Sequence, residues 1–133
     1  MRRSTLRGPY LGRIGWVAVF AASALVGCAS GIPAAPSDPA LQGGWRIYRD
    51  KNCGACHEIG GTGGHIGPPL SHVGTVAGTR RAGLSAAKYL RESITDPSAY
   101  VVPGYPDSMP HGLARDLSDQ EIDDLVRYLA SLR

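Results

Sequence analysis

The chain is short of the residues that usually fill a protein core. Its 133 residues include one phenylalanine, two methionines and three cysteines, and aromatics make up 7% of the composition. Glycine, proline and alanine are plentiful instead, so side chains supply little bulk for an interior, and the length fits one domain. No apolar run reaches the roughly 20 residues that a comfortable transmembrane helix needs. An excess of positive charge is missing where it would matter. The whole chain carries +3, but four of its 14 basic residues, Arg2, Arg3, Arg7 and Arg13, precede Cys28; the other 10 face 11 acids, a balance of −1. That excludes a basic, nucleic-acid-binding surface, because the positive charge sits in a leader.

What is present is Cys53-Gly54-Ala55-Cys56-His57. Two cysteines three apart with a histidine directly after them form the C-x-x-C-H signature for covalent attachment of a c-type haem. One helical turn carries both sulfurs to the porphyrin edge, where each thiol adds to one vinyl group. The next side chain, His57, then points at the iron as its proximal ligand. A closed zinc site would want a second Cys/His pair, and no other C-x-x-C exists. A thioredoxin-like redox pair would need a βαβ setting, and no strand pattern surrounds this motif.

The N-terminus reads as a leader. Met1 to Arg13 holds the four arginines, and Ile14 to Gly27 is a short apolar run, the n-region and h-region of a secretory signal. It ends in Leu25-Val26-Gly27-Cys28, which resembles a bacterial lipobox, so Cys28 is expected to be lipidated. The competing reading is an unmodified cysteine in an uncleaved anchor helix. Lipidation accounts for the odd cysteine count, one for lipid and two for haem. Arg2-Arg3-Ser4-Thr5-Leu6 faintly resembles a twin-arginine signal, but paired arginines are common in such leaders. Ala29 to Ser37 is aperiodic and rich in Pro and Ala, as a flexible tether would be.

The globular part has helical punctuation. Asp38 is an N-cap with Pro39 at the first helical position, and Leu41, Trp45 and Tyr48 recur at helical spacing, predicting a helix over 39–51. A second helix begins after Ser85, carries Tyr89, Leu90 and Ile94, and stops at Asp96-Pro97. Ser118 and Glu121 form a capping box for a last helix whose stripe is Ile122, Leu125, Val126, Leu129 and Leu132. Acids gather in its first turn and arginines towards its end, as the helix dipole prefers. Gly60 to Leu70 lacks the Lys-Ser/Thr of a phosphate-binding loop and reads as a flexible wrap around a ring edge. Met109, in Ser108-Met109-Pro110, is the one methionine left after the leader. In a polar, proline-bounded loop, core filling explains it less well than thioether ligation at the sixth position of a haem iron. His111 is its main rival as ligand, and His65 and His72 are lesser ones.

Together these parts resemble class I cytochromes c over roughly Leu41 to Leu132. The resemblance implies an all-α domain of three main helices and loops wrapped around one covalently bound haem c per chain. It makes His57 and Met109 the axial pair on the iron. Pro68, in Gly67-Pro68-Pro69-Leu70, becomes the proline whose carbonyl accepts the His57 Nδ1 hydrogen, and Leu70 a haem-face residue. Gly44 and Tyr48 match the pair that lets the first and last helices cross, against Leu125 and Tyr128. Gly67 to Gly74, Arg80-Arg81 and the spacing from Asp96-Pro97 to Met109-Pro110 are also similar to the cytochrome c domain of some terminal-oxidase second subunits. That likeness pairs Arg80 with a haem propionate, whereas an exposed loop arginine is the bland alternative. The chain departs from those subunits in having no transmembrane hairpin and no copper-binding cysteine pair.

The expectation is a signal peptide over 1–27, a lipidated cysteine and tether over 28–38, and a cytochrome c domain over 39–133. The protein would be exported and held by its lipid on a membrane, facing the periplasm or extracytoplasmic space. There it would pass single electrons between redox partner proteins. It would not be an enzyme and would bind neither a small-molecule substrate nor nucleic acid. The alternative is a haem subunit through which electrons enter a membrane oxidoreductase such as a terminal oxidase. A haem gas sensor needs a free sixth position, against which Met109 argues.

Overall fold

In the computed structural model, which describes residues 32–133, the chain forms four α-helices and two short 3₁₀ turns, with no strand among the described residues beyond an isolated Ile59–Thr62 bridge. The expected signal sequence and Cys28 lie outside the described residues.

The three expected helices are present with the expected caps. α1 spans Pro39–Asp50, and Asp38 Oδ1 accepts from the Ala40 N–H at 2.9 Å. The helix ends through Asn52, whose left-handed φ of 54° is tolerated by its short polar side chain and turns the chain into Cys53. Ahead of α1, the Trp45 indole N–H donates to the Pro33 carbonyl at 3.0 Å, so the segment that precedes the helix folds back onto it.

Past the haem motif come two more helices. α2 spans Val73–Arg80 and was not expected, since Val73-Gly74-Thr75-Val76-Ala77-Gly78 has no apolar stripe and combines two glycines with β-branched residues. Tertiary contact holds it: Gly74 donates to the Leu132 carbonyl at 2.9 Å, and a Cβ on Gly74 would lie 2.7 Å from the Ala130 carbonyl carbon. α3 spans Ala86–Thr95, is capped by Ser85, and stops just before Pro97, as a residue preceding proline prefers. It buries Tyr89, Leu90 and Ile94.

α4 spans Asp119–Ser131, with the capping box of Ser118 and Glu121 formed in both directions and Asp119 and Glu121 in its first turn. The arginines expected near its end fall elsewhere. Arg127 sits before the last turn and pairs with Asp124 at 2.7 Å, and Arg133 lies past the helix. The apolar face of α4 carries Ile122, Leu125, Val126 and Leu129 into the core. Each such side chain contributes roughly 1.5–3 kcal/mol when taken out of water.

α1 and α4 cross at Gly44, where a Cβ would lie 2.6 Å from Tyr128 Cβ and 2.7 Å from the Asp124 carbonyl carbon. The absence of a side chain there lets Tyr48 and Tyr128 meet edge to face at 5.9 Å. This crossing fixes the C-terminal end of α1, from which the C-x-x-C-H turn departs.

Candidate functional site

Cys53–Ala55 form a single 3₁₀ turn, and the Cys53 carbonyl accepts from both the Cys56 N–H at 3.2 Å and the His57 N–H at 3.1 Å. That turn brings Cys53, Cys56 and His57 to the same cavity wall. No disulfide joins Cys53 to Cys56, and both are half-buried. Before haem is attached, burial pushes the Cys53 thiol up to about 11. A redox-active pair would instead carry a lowered value.

The loop after the motif is tied down rather than loose. Gly64 donates to the Gly54 carbonyl at 2.9 Å, Gly67 to Cys56 at 2.9 Å and Leu70 to Glu58 at 2.8 Å. The Glu58 carboxylate accepts from the Gly61 N–H and from Ser71 Oγ, and these bonds hold it below the ordinary carboxylate range. The sequence offers no signal for this role of Glu58 beyond its place two residues before Gly60-Gly61. The path so fixed sets the Pro68 carbonyl 2.8 Å from His57 Nδ1. A carbonyl can only accept, so Nδ1 carries the proton and Nε2 keeps a free lone pair. Gly67 leaves room for this arrangement, because a Cβ there would lie 2.7 Å from Nδ1 and 2.9 Å from Nε2. On the other side, the Tyr48 hydroxyl, buried beneath α4, donates to the His57 carbonyl at 3.1 Å. Sequence reasoning placed Tyr48 at the helix crossing and missed this bond.

The cavity is an open, mostly apolar slot. α3 supplies Tyr89, Leu90 and Ile94 to it, and α4 supplies Leu125 and Leu129. Pro68, Leu70, Arg80 and Met109 also line it. Met109 is half-buried, whereas His111, His65 and His72 are exposed and none of them lines this cavity. Arg81 pairs with Glu92, and Arg80 has no ion-pair partner among the described residues. The residues present therefore fit a haem: two cysteines on one turn at the edge of an apolar slot, an imidazole whose Nε2 is left unbonded, and a thioether in the same space.

An all-α fold built around such a slot defines a c-type haem domain. The family model described as Cytochrome c matches residues 41–133, and the chain belongs to that family, whose members bind haem c and its iron covalently. The chain is also similar to the cytochrome c oxidase subunit 2 of Alkalihalophilus pseudofirmus, at 26% identity over 102 residues. That match covers 74% of this chain but 27% of the relative. Cytochrome c domains typically carry electrons rather than transform substrates.

Proposed function

We propose that the protein is a lipid-anchored carrier of single electrons outside the cytoplasmic membrane, with His57 and Met109 as the axial ligands of its haem iron. One observation carries the reading: Cys53, Cys56, His57 and Met109 line a single cavity, with the His57 ring turned by Pro68 so that Nε2 is left for a metal. When bound, the haem supplies an iron that takes up and releases one electron, and Met/His ligation raises its potential relative to other ligand sets. The chain's own residues do the rest. The Pro68 carbonyl orients His57 and raises its basicity; the apolar walls would keep water from a bound haem, Met109 would supply a second ligand to its iron, and Arg80 would offer its charge to a propionate. Anchoring rests on Cys28 and the lipobox before it. Among the described residues no helix is long and apolar enough to cross a membrane.

The experiment compares wild type with Cys53→Ala/Cys56→Ala and Met109→Ala in a host with working haem-attachment machinery. Wild type should show peroxidase staining on a denaturing gel and the double variant none. Met109→Ala should stain, bind carbon monoxide and lie lower in potential. Reduced wild type should pass electrons quickly to an outer-sphere acceptor; steady turnover of oxygen, nitrite or peroxide at about 1 per second or more would overturn the carrier reading. Cys28→Ser should lose the membrane fraction and the lipid mass.

The similarity to an oxidase subunit favours a second reading, a fixed haem subunit through which electrons enter a membrane oxidoreductase. A stable complex whose activity disappears with this chain would select it.

A further inference from the structure

The loop that carries Met109 is held in an unusual way. No backbone-to-backbone hydrogen bond involves any residue from Asp107 to His111. Pro106 and Pro110 stiffen the loop but contribute no N–H donor. Its ends are instead gathered by one hydroxyl. Ser98, in the 3₁₀ turn Pro97–Ala99 that follows α3, has its Oγ 2.8 and 3.0 Å from the two carboxylate oxygens of Asp107. The same Oγ lies 3.0 Å from Nε2 of His111. Asp107 precedes Met109 by two positions and His111 follows it by two, so both flanks of the thioether meet at a single point. The Ser98 turn is itself anchored, with Pro97 buried and the Ala99 N–H donating to the Asp96 carbonyl at 3.0 Å.

The protons in this cluster can be assigned. A hydroxyl has one hydrogen, and an ionised carboxylate can only accept, so Ser98 donates to Asp107. The Ser98 oxygen then accepts, and His111 Nε2–H is the donor. This differs from a nucleophilic serine triad, in which the histidine accepts from the serine and the carboxylate orients the histidine. Here the carboxylate accepts the serine hydrogen bond and the imidazole has no lone pair directed at the oxygen. The cluster is built to hold, not to react. It also occupies the His111 ring on the exposed surface, whereas Met109 lines the cavity.

We propose that Ser98 is a positioning residue for the sixth ligand of the iron: its hydroxyl clasps Asp107 to His111 and so keeps the Met109 thioether in the haem cavity. The proposal rests on the reading of Met109 as that ligand. Breaking the clasp frees the loop to swing away, which raises the fraction of protein whose sixth position an external ligand can take. One hydrogen bond contributes about 1 kcal/mol net, equivalent to about a fivefold change in that fraction.

The test uses the full-length, haem-loaded protein and its variants Ser98→Ala, Ser98→Thr, Asp107→Ala and Met109→Ala. Each ferric protein is titrated with imidazole, and the charge-transfer absorption of methionine-ligated haem is followed. Asp107→Ala, which removes one bond of the clasp, should bind imidazole about fivefold more tightly than wild type, and Ser98→Ala, which removes both, at least fivefold more tightly, each losing the absorption at correspondingly lower imidazole. Ser98→Thr, which keeps the hydroxyl, should behave as wild type; a merely structural defect would not be rescued in this readout. If Met109→Ala binds imidazole much more tightly while Ser98→Ala matches wild type within about twofold, the clasp is overturned and the ligation reading stands. If Met109→Ala itself matches wild type in absorption and imidazole affinity, the ligation reading falls and the clasp with it. A Thr variant indistinguishable from the Ala variant refutes the role of the hydroxyl. Should Ser98→Ala fail to take up haem, Asp107→Ala decides by the same criterion, because it breaks the clasp from the loop side.

Discussion

Adding one methyl group at Gly44 should unlock the crossing of α1 and α4, and its effect can be weighed against the same change one residue earlier. Two effects compete at a helical glycine. Alanine is the better helix former by about 1 kcal/mol, while an added methyl in a packed core costs typically about 1–3 kcal/mol and occasionally more. At Gly44 the new Cβ would lie 2.6 Å from Tyr128 Cβ and 2.7 Å from the Asp124 carbonyl carbon. Neither neighbour is the free end of a side chain, so the helices themselves must separate, and the packing cost falls at the top of its range. A loss of about 3 kcal/mol against a gain of about 1 leaves roughly 2 kcal/mol of net destabilisation. For a domain near 100 residues that lowers Tm by roughly 8–16 °C. At Gly43 the nearest atom would be Asp124 Oδ2 at 3.2 Å, a side-chain terminus that can swing aside. Gly43→Ala should therefore be neutral, or more stable by up to about 1 kcal/mol. The assay is thermal and denaturant unfolding of the haem-loaded variants, with an unchanged m-value showing that the unfolded state is the same. Equal midpoints for Gly44→Ala and Gly43→Ala would refute the argument that backbone approach at Gly44 sets the α1–α4 distance.

How much of this was legible in the sequence depended on how local its cause is. The C-x-x-C-H turn, the Asp38 cap and the Ser118–Glu121 capping box are each decided by residues within a few positions of one another, and they appear as expected. The stripe on α4 was legible because a 3.6-residue period encodes which face is buried. α2 was not, because nothing in its own residues favours a helix; Gly74 is helical there because the end of α4 lies against it. The glycine-rich loop read as a flexible wrap because glycine permits many paths, and the Glu58 carboxylate that selects one of them bonds to Ser71, 13 residues away. Ser98 reaches Asp107 across 9 residues and His111 across 13, with no periodic signal to join them. The Pro68 carbonyl lies against His57 Nδ1, and the empty space at Gly67 that permits this is visible only in three dimensions.

Three further outcomes are expected. Gly67→Ala would force its Cβ against the His57 ring, so haem should remain covalently attached while its absorption spectrum changes; an unaltered spectrum would show that the ring has room. Tyr48→Phe removes the buried donor to the His57 carbonyl, which should cost about 1–3 kcal/mol by leaving that oxygen unsatisfied. A denaturant midpoint equal to wild type would show that the bond is dispensable. Acid should weaken the fold through three carboxyls that folding holds low: Glu58 in the loop after the C-x-x-C-H turn, and Glu121 and Asp116 on the surface. Glu121 is held low first by the Ser118 hydroxyl and then by the Ser118 N–H, and Asp116 first by its hydrogen bond to the Lys51 ammonium, at 2.6 Å. A carboxyl whose value is depressed by folding adds stability that is fully present above its unfolded value, 4.5 for Glu121 and 3.8 for Asp116. That stability is lost as pH falls through the lower folded value. Tm should therefore hold from neutrality to about pH 5 and decline below it. Glu121→Gln should start from a lower Tm at neutral pH and decline less steeply in acid, since its capping side chain no longer titrates. Added salt should shrink the Asp116 contribution, which is an exposed ion pair, and leave the Glu121 contribution largely in place, because its partners are a hydroxyl and an amide. A wild-type Tm that rises on acidification, or a Glu121→Gln curve parallel to wild type throughout, would refute the assignment of part of this acid response to the α4 cap.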